Sequence, residues 1–239
     1  VNSYPRFQPV GDQAVLVEFG DRIDEQINAQ VLTLAQGMSD VVGVREIVPT
    51  YCSLVLLFDP LVVSYDTLCQ QIATRLNMPS ITPVTRRCWR VPVCYGGDYG
   101  EDLLALASSH HLTPEQVIEQ HSRADYRVYM VGFMPGFAYL GGLPKALHTP
   151  RRASPRARTP ACSINIGGQQ TAISSVAGPS GWHLIGRTPW QPFVPDRHPA
   201  FLFQPGDAIQ FMPVTPAEFA RMSDECRAPD WHPEPEVRQ

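Results

Sequence analysis

Four arginines fall within eight residues in the stretch Pro150-Arg151-Arg152-Ala153-Ser154-Pro155-Arg156-Ala157-Arg158. Guanidinium forks match carboxylates and phosphates, and prolines stiffen the loop so that less entropy is lost on binding. The plain alternative is a solvated basic loop. Just upstream runs Gly132-Phe133-Met134-Pro135-Gly136-Phe137-Ala138-Tyr139-Leu140-Gly141-Gly142-Leu143-Pro144, in which aromatics alternate with backbone-permissive residues. Glycines let a backbone approach a ligand or partner closely and aromatics supply rigid contact area, but the same composition suits a loop folded over its own core. Gly178-Pro179-Ser180-Gly181 approximates a nucleophile elbow, yet Trp182 stands where that turn needs glycine, which favours a plain turn. No GxxxxGK[ST], GxGxxG or HExxH pattern occurs, so neither a Walker loop nor zincin chemistry is expected.

The remaining titratable residues read as structural. His121 near a helix end, Asp98 and Asp102 at a helix start, and His110 and His111 suit capping or packing, and no metal site is expected from them. The six cysteines form no CxxC pair and read as reduced thiols.

A net charge of -4 offers no basic field for a phosphate backbone, so nucleic acid is not an expected partner, whereas a small anion held by local arginines is compatible with it. The first twenty residues lack the basic stretch and long apolar run of a signal peptide. No later segment reaches membrane-spanning length, so a cytoplasmic protein without a membrane partner is expected.

The elements that must position these residues follow from periodicity. Ala14 to Phe19 predicts a strand, and Asp24 caps a helix carrying Ile27, Val31, Leu34, Ala35 and Met38 at helical spacing. Val44–Val48 and Ser53–Phe58 predict strands, a second helix follows with Tyr65, Leu68, Ile72 and Leu76 on one face, and Trp89–Tyr95 predicts another strand. The order β-α-β-β-α-β is the split arrangement called ferredoxin-like, placed over residues 1–85. Two helices are expected near 100–122, the second opened by a capping box of Thr113, Pro114 and Gln116. From Tyr126 onward, short β-prone runs between Gly- and Pro-rich turns predict an all-β domain, a barrel or a sandwich, over residues 86–239. Phe201–Phe203 and Ala208–Phe211 are expected as its late strands, and the tail after Asp224 is expected to fray.

The blocks GDQAVLVEFG, PTYCSL, VPVCYGGDYGEDL, YMVGFMPGFAYLGGL, PRRASPR and GPSGWHLIGRTP, in that order, resemble the signature blocks of the family of B-type 5-oxoprolinase subunits. That family also includes the Kip-type inhibitor of a sporulation histidine kinase and allophanate hydrolase subunit 1, found too within urea carboxylases. The resemblance implies a ferredoxin-like domain joined to a cyclophilin-like β-barrel. It also implies pairing with a homologous C-type subunit and an A-type subunit, in a complex that opens 5-oxoproline to glutamate with ATP as a substrate and no tightly bound cofactor. The positions it nominates for substrate binding are Phe133, Pro135, Gly136, Phe137, Tyr139, Arg151, Arg152, Arg156, Ser163, Gln169, Trp182 and Arg187; it nominates no catalytic residue and no metal ligand. The chain departs from the family pattern at Cys162-Ser163 where Gly-Ser is expected, at Ser174-Ser175 where Tyr-Pro is usual, and at Ser180 in place of glycine, changes that reshape a site where glycine allowed positive φ. The alternatives are docking on a histidine kinase, with the aromatic loop as the interface, and an allophanate hydrolase or urea carboxylase role.

Overall fold

The computed structural model describes residues 4–77, 86–228 and 231–238. The chain divides into two compact units, Val1–Val84 and Thr85–Gln239.

In the first unit, strands β1 (Arg6–Val10), β2 (Ala14–Glu18), β3 (Val44–Pro49) and β4 (Ser53–Phe58) form an antiparallel sheet in the order β1-β2-β4-β3. Helix α1 (Glu25–Gly37) starts where Asp24 accepts the Gln26 and Ile27 N–H groups, and α2 (Tyr65–Leu76) where Ser64 accepts that of Thr67. One sheet face supplies Val15, Val17, Leu54, Leu56 and Phe58 to a core closed by Val31, Leu34, Leu68 and Ile72 from the helices. The alternation of buried and half-buried residues along β2 and β4 is the period-2 pattern that the sequence carries. The connectivity differs from the expected β-α-β-β-α-β. The strand at Trp89–Tyr95 belongs to the second unit, and the fourth place in the sheet is taken by β1, which precedes the other elements. Pro9 hides β1 from a reading by propensity; at a sheet edge a missing N–H is tolerated.

The second unit is a closed barrel. Strands β5 (Arg86–Tyr95), β6 (Tyr126–Val131), β7 (Ala138–Gly141), β9 (Ser163–Gly167), β10 (Gln170–Ile173), β12 (His183–Arg187) and β13 (Ala208–Pro213) follow one another in the order β12-β9-β10-β7-β6-β13-β5. The ring closes through Gly186 opposite Tyr95 and Arg187 opposite Cys94. The short strands β8 (Arg156–Thr159) and β11 (Gly178–Ser180) pair with each other beside it. Helices α3 (Leu103–Ser109) and α4 (Pro114–Arg123) lie between β5 and β6, and α4 opens with the expected Thr113–Gln116 capping box.

Inside the barrel, Val91, Val128, Leu140, Ile164, Ile173 and Phe211 are fully or almost fully buried. His121 is buried among them, its ring stacked on Phe211 and bonded to Tyr95 and Thr171, so it is a packed core histidine. Asp207 ties β13 to β5 by accepting from both Arg87 and the Trp89 indole. Phe201–Phe203 forms only an isolated bridge from Phe201 to Phe193 rather than a strand. Helix α5 (Pro216–Glu225), not expected from the sequence, follows a capping box of Thr215 and Glu218. In the tail after Asp224, where fraying was expected, β14 (Glu236–Arg238) pairs with the first half of β5.

Candidate functional site

The aromatic loop joins β6 to β7 across a short reverse turn in which Gly132 N–H reaches Phe137 O and Phe137 N–H reaches Met134 O, each at 3.0 Å. Gly136 turns the chain at φ +74°, and Phe133 adopts φ +72° while leaving 66% of its surface exposed. Ser175 bonds the carbonyl of Pro135 and fixes the turn to the end of β10. Where Tyr-Pro was expected by resemblance, the Ser174-Ser175 pair thus supplies two hydroxyls, the second being Ser174 accepting the Ser163 N–H.

From this loop a continuous set of rings crosses the outer face of the barrel. Phe137 meets Phe133 edge-on at 5.7 Å and Tyr139 at 4.6 Å, and Tyr139 meets Trp182 at 5.9 Å. Phe137 and Trp182 are 5% and 6% exposed and pack with Ala172 as a small cluster separate from the barrel interior. Alternation explains the separation: Ala138, Leu140, Ile164, Ile166 and Ile173 point inward, so Phe137, Tyr139 and Ala172 must point out.

Arg151 ends the series, its guanidinium 5.7 Å from the Trp182 ring centroid. Burial raises the Tyr139 phenol pKa and the Arg151 charge opposes that rise, which places the guanidinium within electrostatic reach of the hydroxyl. Both neighbours of Arg151 are pinned: Pro150 O is bonded to His183 Nε2 at 2.9 Å, and Arg152 N–H donates to Gly181 O at 2.7 Å. The arginine is exposed, yet its backbone is held in place.

The other nominated residues have different surroundings. Arg152 and Arg156 are committed to Asp102, which accepts from Arg152 Nη1 at 2.7 Å, from Arg156 at 2.6 and 2.7 Å, and from the Leu184 N–H at 2.7 Å. Asp102 therefore does not cap α3 with its side chain. Burial pushes its carboxyl pKa up, but the Arg156 and Leu184 hydrogen bonds and the two arginine charges outweigh burial and hold it below the ordinary value. Ser163 is buried with its hydroxyl donated to Pro160 O, and Gln169 is exposed in the β9–β10 turn. Arg187 donates to Ala161 O at the far end of β12 from Trp182, about 16 Å away at strand rise. A depression of 340 Å³ beside the loop is lined by Val131 through Gly136 and by Phe201, with no arginine, so the loop and the basic segment do not share it. A larger one, 500 Å³, lies among Glu119, Gln120, Arg123, Ala124 and Pro144 and lacks both rings and buried polar groups.

Two residues at the outer face were missed. Asn165 and Gln170 are 1% and 5% exposed, and Asn165 Oδ1 and Gln170 Nε2 are buried without a hydrogen-bond partner. Strand parity could have found them: residues 170 and 172 share a face, as do 165 and 167.

Residues 5–203 match the family model described as carboxyltransferase domain, subdomain C and D. The chain is 35% identical over 233 residues to the Bacillus subtilis protein named as the B-type subunit of 5-oxoprolinase, covering 92% of this chain and 97% of that one. Among solved structures it resembles TTHA0988 with a TM-score of 0.77 at 33% identity, over 84% of this chain but only 40% of that longer one. The Kluyveromyces lactis urea amidolyase shares the fold, with a TM-score of 0.78 at 19% identity over 97% of this chain and 16% of the amidolyase. With a family-model match over residues 5–203 and a near full-length match to a named relative, the chain belongs to the family of B-type 5-oxoprolinase subunits, within the carboxyltransferase subdomain C and D group.

Proposed function

We propose that the chain is the B-type subunit of an ATP-dependent 5-oxoprolinase, a cytoplasmic hydrolase that converts 5-oxo-L-proline, ATP and water to L-glutamate, ADP and phosphate. It acts with homologous C-type and A-type subunits. The observation that carries the reading is the match over 97% of the Bacillus subtilis relative. The domain reading that goes with it is a ferredoxin-like first unit, in which β2, α1, β3, β4 and α2 keep the split order, and a cyclophilin-like barrel.

Ring opening of a lactam must overcome amide resonance, and ATP supplies the driving force as a co-substrate. The sequence carries no phosphate-loop pattern, so the nucleotide would be held by a partner or by a surface of this chain of another type. What this chain can contribute is a preorganised cation beside aromatic faces, which fits a small carboxylate with an apolar ring. The segment equivalent to this chain fills only 40% of TTHA0988, and a polypeptide that continues in one protein is the natural counterpart of a separate subunit in another.

A second reading, docking on a histidine kinase, draws on the exposed rings of Phe133 and Phe201 at the loop. Purification with the A- and C-type subunits and an assay of ATP turnover with and without 5-oxoproline decides between them. Turnover that requires all three subunits supports the enzyme. Absent turnover, together with suppressed kinase autophosphorylation, supports the inhibitor.

A further inference from the structure

Gln170 has an unusual setting for a buried carboxamide. In the β9–β10 ladder it faces Gly167, and it stands one residue beyond the Thr171–Leu140 pair, next to Gly141 of β7. Both neighbours are glycines covered by rings. A Cβ on Gly167 would fall 2.5 Å from the Trp182 indole, and one on Gly141 would fall 2.3 Å from the Tyr129 ring. Two aromatic walls therefore flank a side chain whose Nε2 has no partner. Leaving a buried donor unpaired forfeits the hydration it had in the unfolded chain, and an apolar residue would fill the place without that cost. Over the same Trp182 indole, 5.7 Å from its centroid, stands the Arg151 guanidinium, pinned at both flanking peptides and without a carboxylate among the described residues, while Arg152 and Arg156 beside it are neutralised by Asp102 and Glu101.

We propose that Gln170 and Arg151 form the two polar ends of a binding site for a cyclic amino-acid lactam, deepening the 5-oxoprolinase reading on which it rests. The carboxylate of the ligand pairs with Arg151, its ring lies along Trp182 and Tyr139, and its lactam oxygen accepts from Gln170 Nε2. Because Nε2 is covered in the free chain, the indole of Trp182 must move aside from Gly167 for the ligand to enter. The site explains why the donor stays unpaired: its partner is the ligand. It also divides recognition into two separable halves, one for charge and one for the amide.

The test is calorimetric titration of the full chain with 5-oxo-L-proline, with 2-pyrrolidinone, which lacks the carboxylate, and with cyclopentanecarboxylate, which lacks the lactam. The wild-type chain is expected to prefer 5-oxoproline to both. Arg151→Ala should weaken 5-oxoproline about tenfold to a hundredfold and leave 2-pyrrolidinone unchanged, and Gln170→Leu should weaken 5-oxoproline similarly while leaving cyclopentanecarboxylate unchanged. Failure of the wild-type chain to bind 5-oxoproline, or equal affinity for 5-oxoproline and cyclopentanecarboxylate, overturns the site even if Gln170→Leu does not fold. The 5-oxoprolinase reading is judged apart from this: 5-oxoproline-dependent turnover of the assembled complex that is unaltered by Gln170→Leu leaves that reading standing and removes the site.

Discussion

Arg156 grips Asp102 through two hydrogen bonds, at 2.6 and 2.7 Å, across 54 residues of sequence. Arg152 adds a third, so one carboxylate fastens the basic segment to the start of α3 and leaves Arg151 as the arginine beside the rings. Asp102→Ala strips two guanidinium groups and the Leu184 N–H of their acceptor, and is expected to destabilise the chain by about 2 to 4 kcal/mol, less than for a fully buried triad because both arginines keep some contact with water. Denaturant unfolding measures it. The folded Asp102 pKa is depressed, so its contribution is present above the ordinary carboxylate value of 3.8 and is lost as pH falls through the lower, folded one. The Asp102→Asn chain should lack that part of the acid transition, and an unchanged acid limb would count against the triad.

The fold was largely legible in the sequence because helix caps and strand alternation are local. Asp24, Thr113 and the apolar series along α1 and α2 needed nothing beyond their own neighbours. Competing signals hide the rest: Pro9 masks an edge strand, Pro233 and the charges after Asp224 make the segment before β14 look frayed, and α5 goes unplaced although Thr215–Glu218 is a capping box readable without coordinates. The candidate site was legible by type and not by role. Four similar arginines share one segment, and only tertiary contact separates the two that answer Asp102 from the one that stacks on Trp182.

His121 gives a second pH dependence with its own window. Burial pushes its pKa down to about 3 from the ordinary 6.5, so it stays neutral in the fold and takes up a proton on unfolding. Between those values the unfolded chain binds more protons, and stability falls as pH drops from 6.5 toward 3, by about 1.4 kcal/mol per unit. His121→Gln, which keeps a polar group near Tyr95 and Thr171, should lose stability at neutral pH but flatten the slope across that window. A slope as steep as the wild type's would show that other groups carry it.

Gly167 is the floor under Trp182. Gly167→Ala would set a methyl group 2.5 Å from the indole and force the ring outward, at a cost of about 1 to 3 kcal/mol. The chain should remain folded, with a shifted tryptophan emission that is absent from the Gly167→Ala, Trp182→Phe double variant. Unchanged emission in the single variant would mean that the ring does not lie where the close approach puts it.

Ser175→Ala removes the hydroxyl that holds Pro135. A lost hydrogen bond of this kind costs about 1 kcal/mol, and the loss should appear locally, as faster amide exchange at Gly132 and Phe137, whose N–H groups close the turn. Protection equal to that of the wild type would leave the turn independent of Ser175.

Phe133 combines two local costs, since its backbone sits at φ +72°, where a β-carbon is crowded, and its ring is 66% exposed to water. Among the described residues its ring contact is edge-on with Phe137 at 5.7 Å, which is small against a strain of about 1 to 3 kcal/mol. The hydrogen bonds that close the turn hold that strain within the chain, and an exposed aromatic on a fixed turn is the type of residue that dominates protein interfaces. The two costs predict opposite signs in two measurements. Phe133→Gly relieves the backbone and should leave the isolated chain as stable or raise its melting temperature by a few degrees, while weakening association with the proposed C-type partner about tenfold or more if the ring lies in that interface. Phe133→Ala, which keeps the strain and loses the ring, should weaken association without the gain in stability. Were Phe133→Gly to lower the melting temperature and leave association intact, the ring would belong to the chain's own packing and the interface would lie elsewhere.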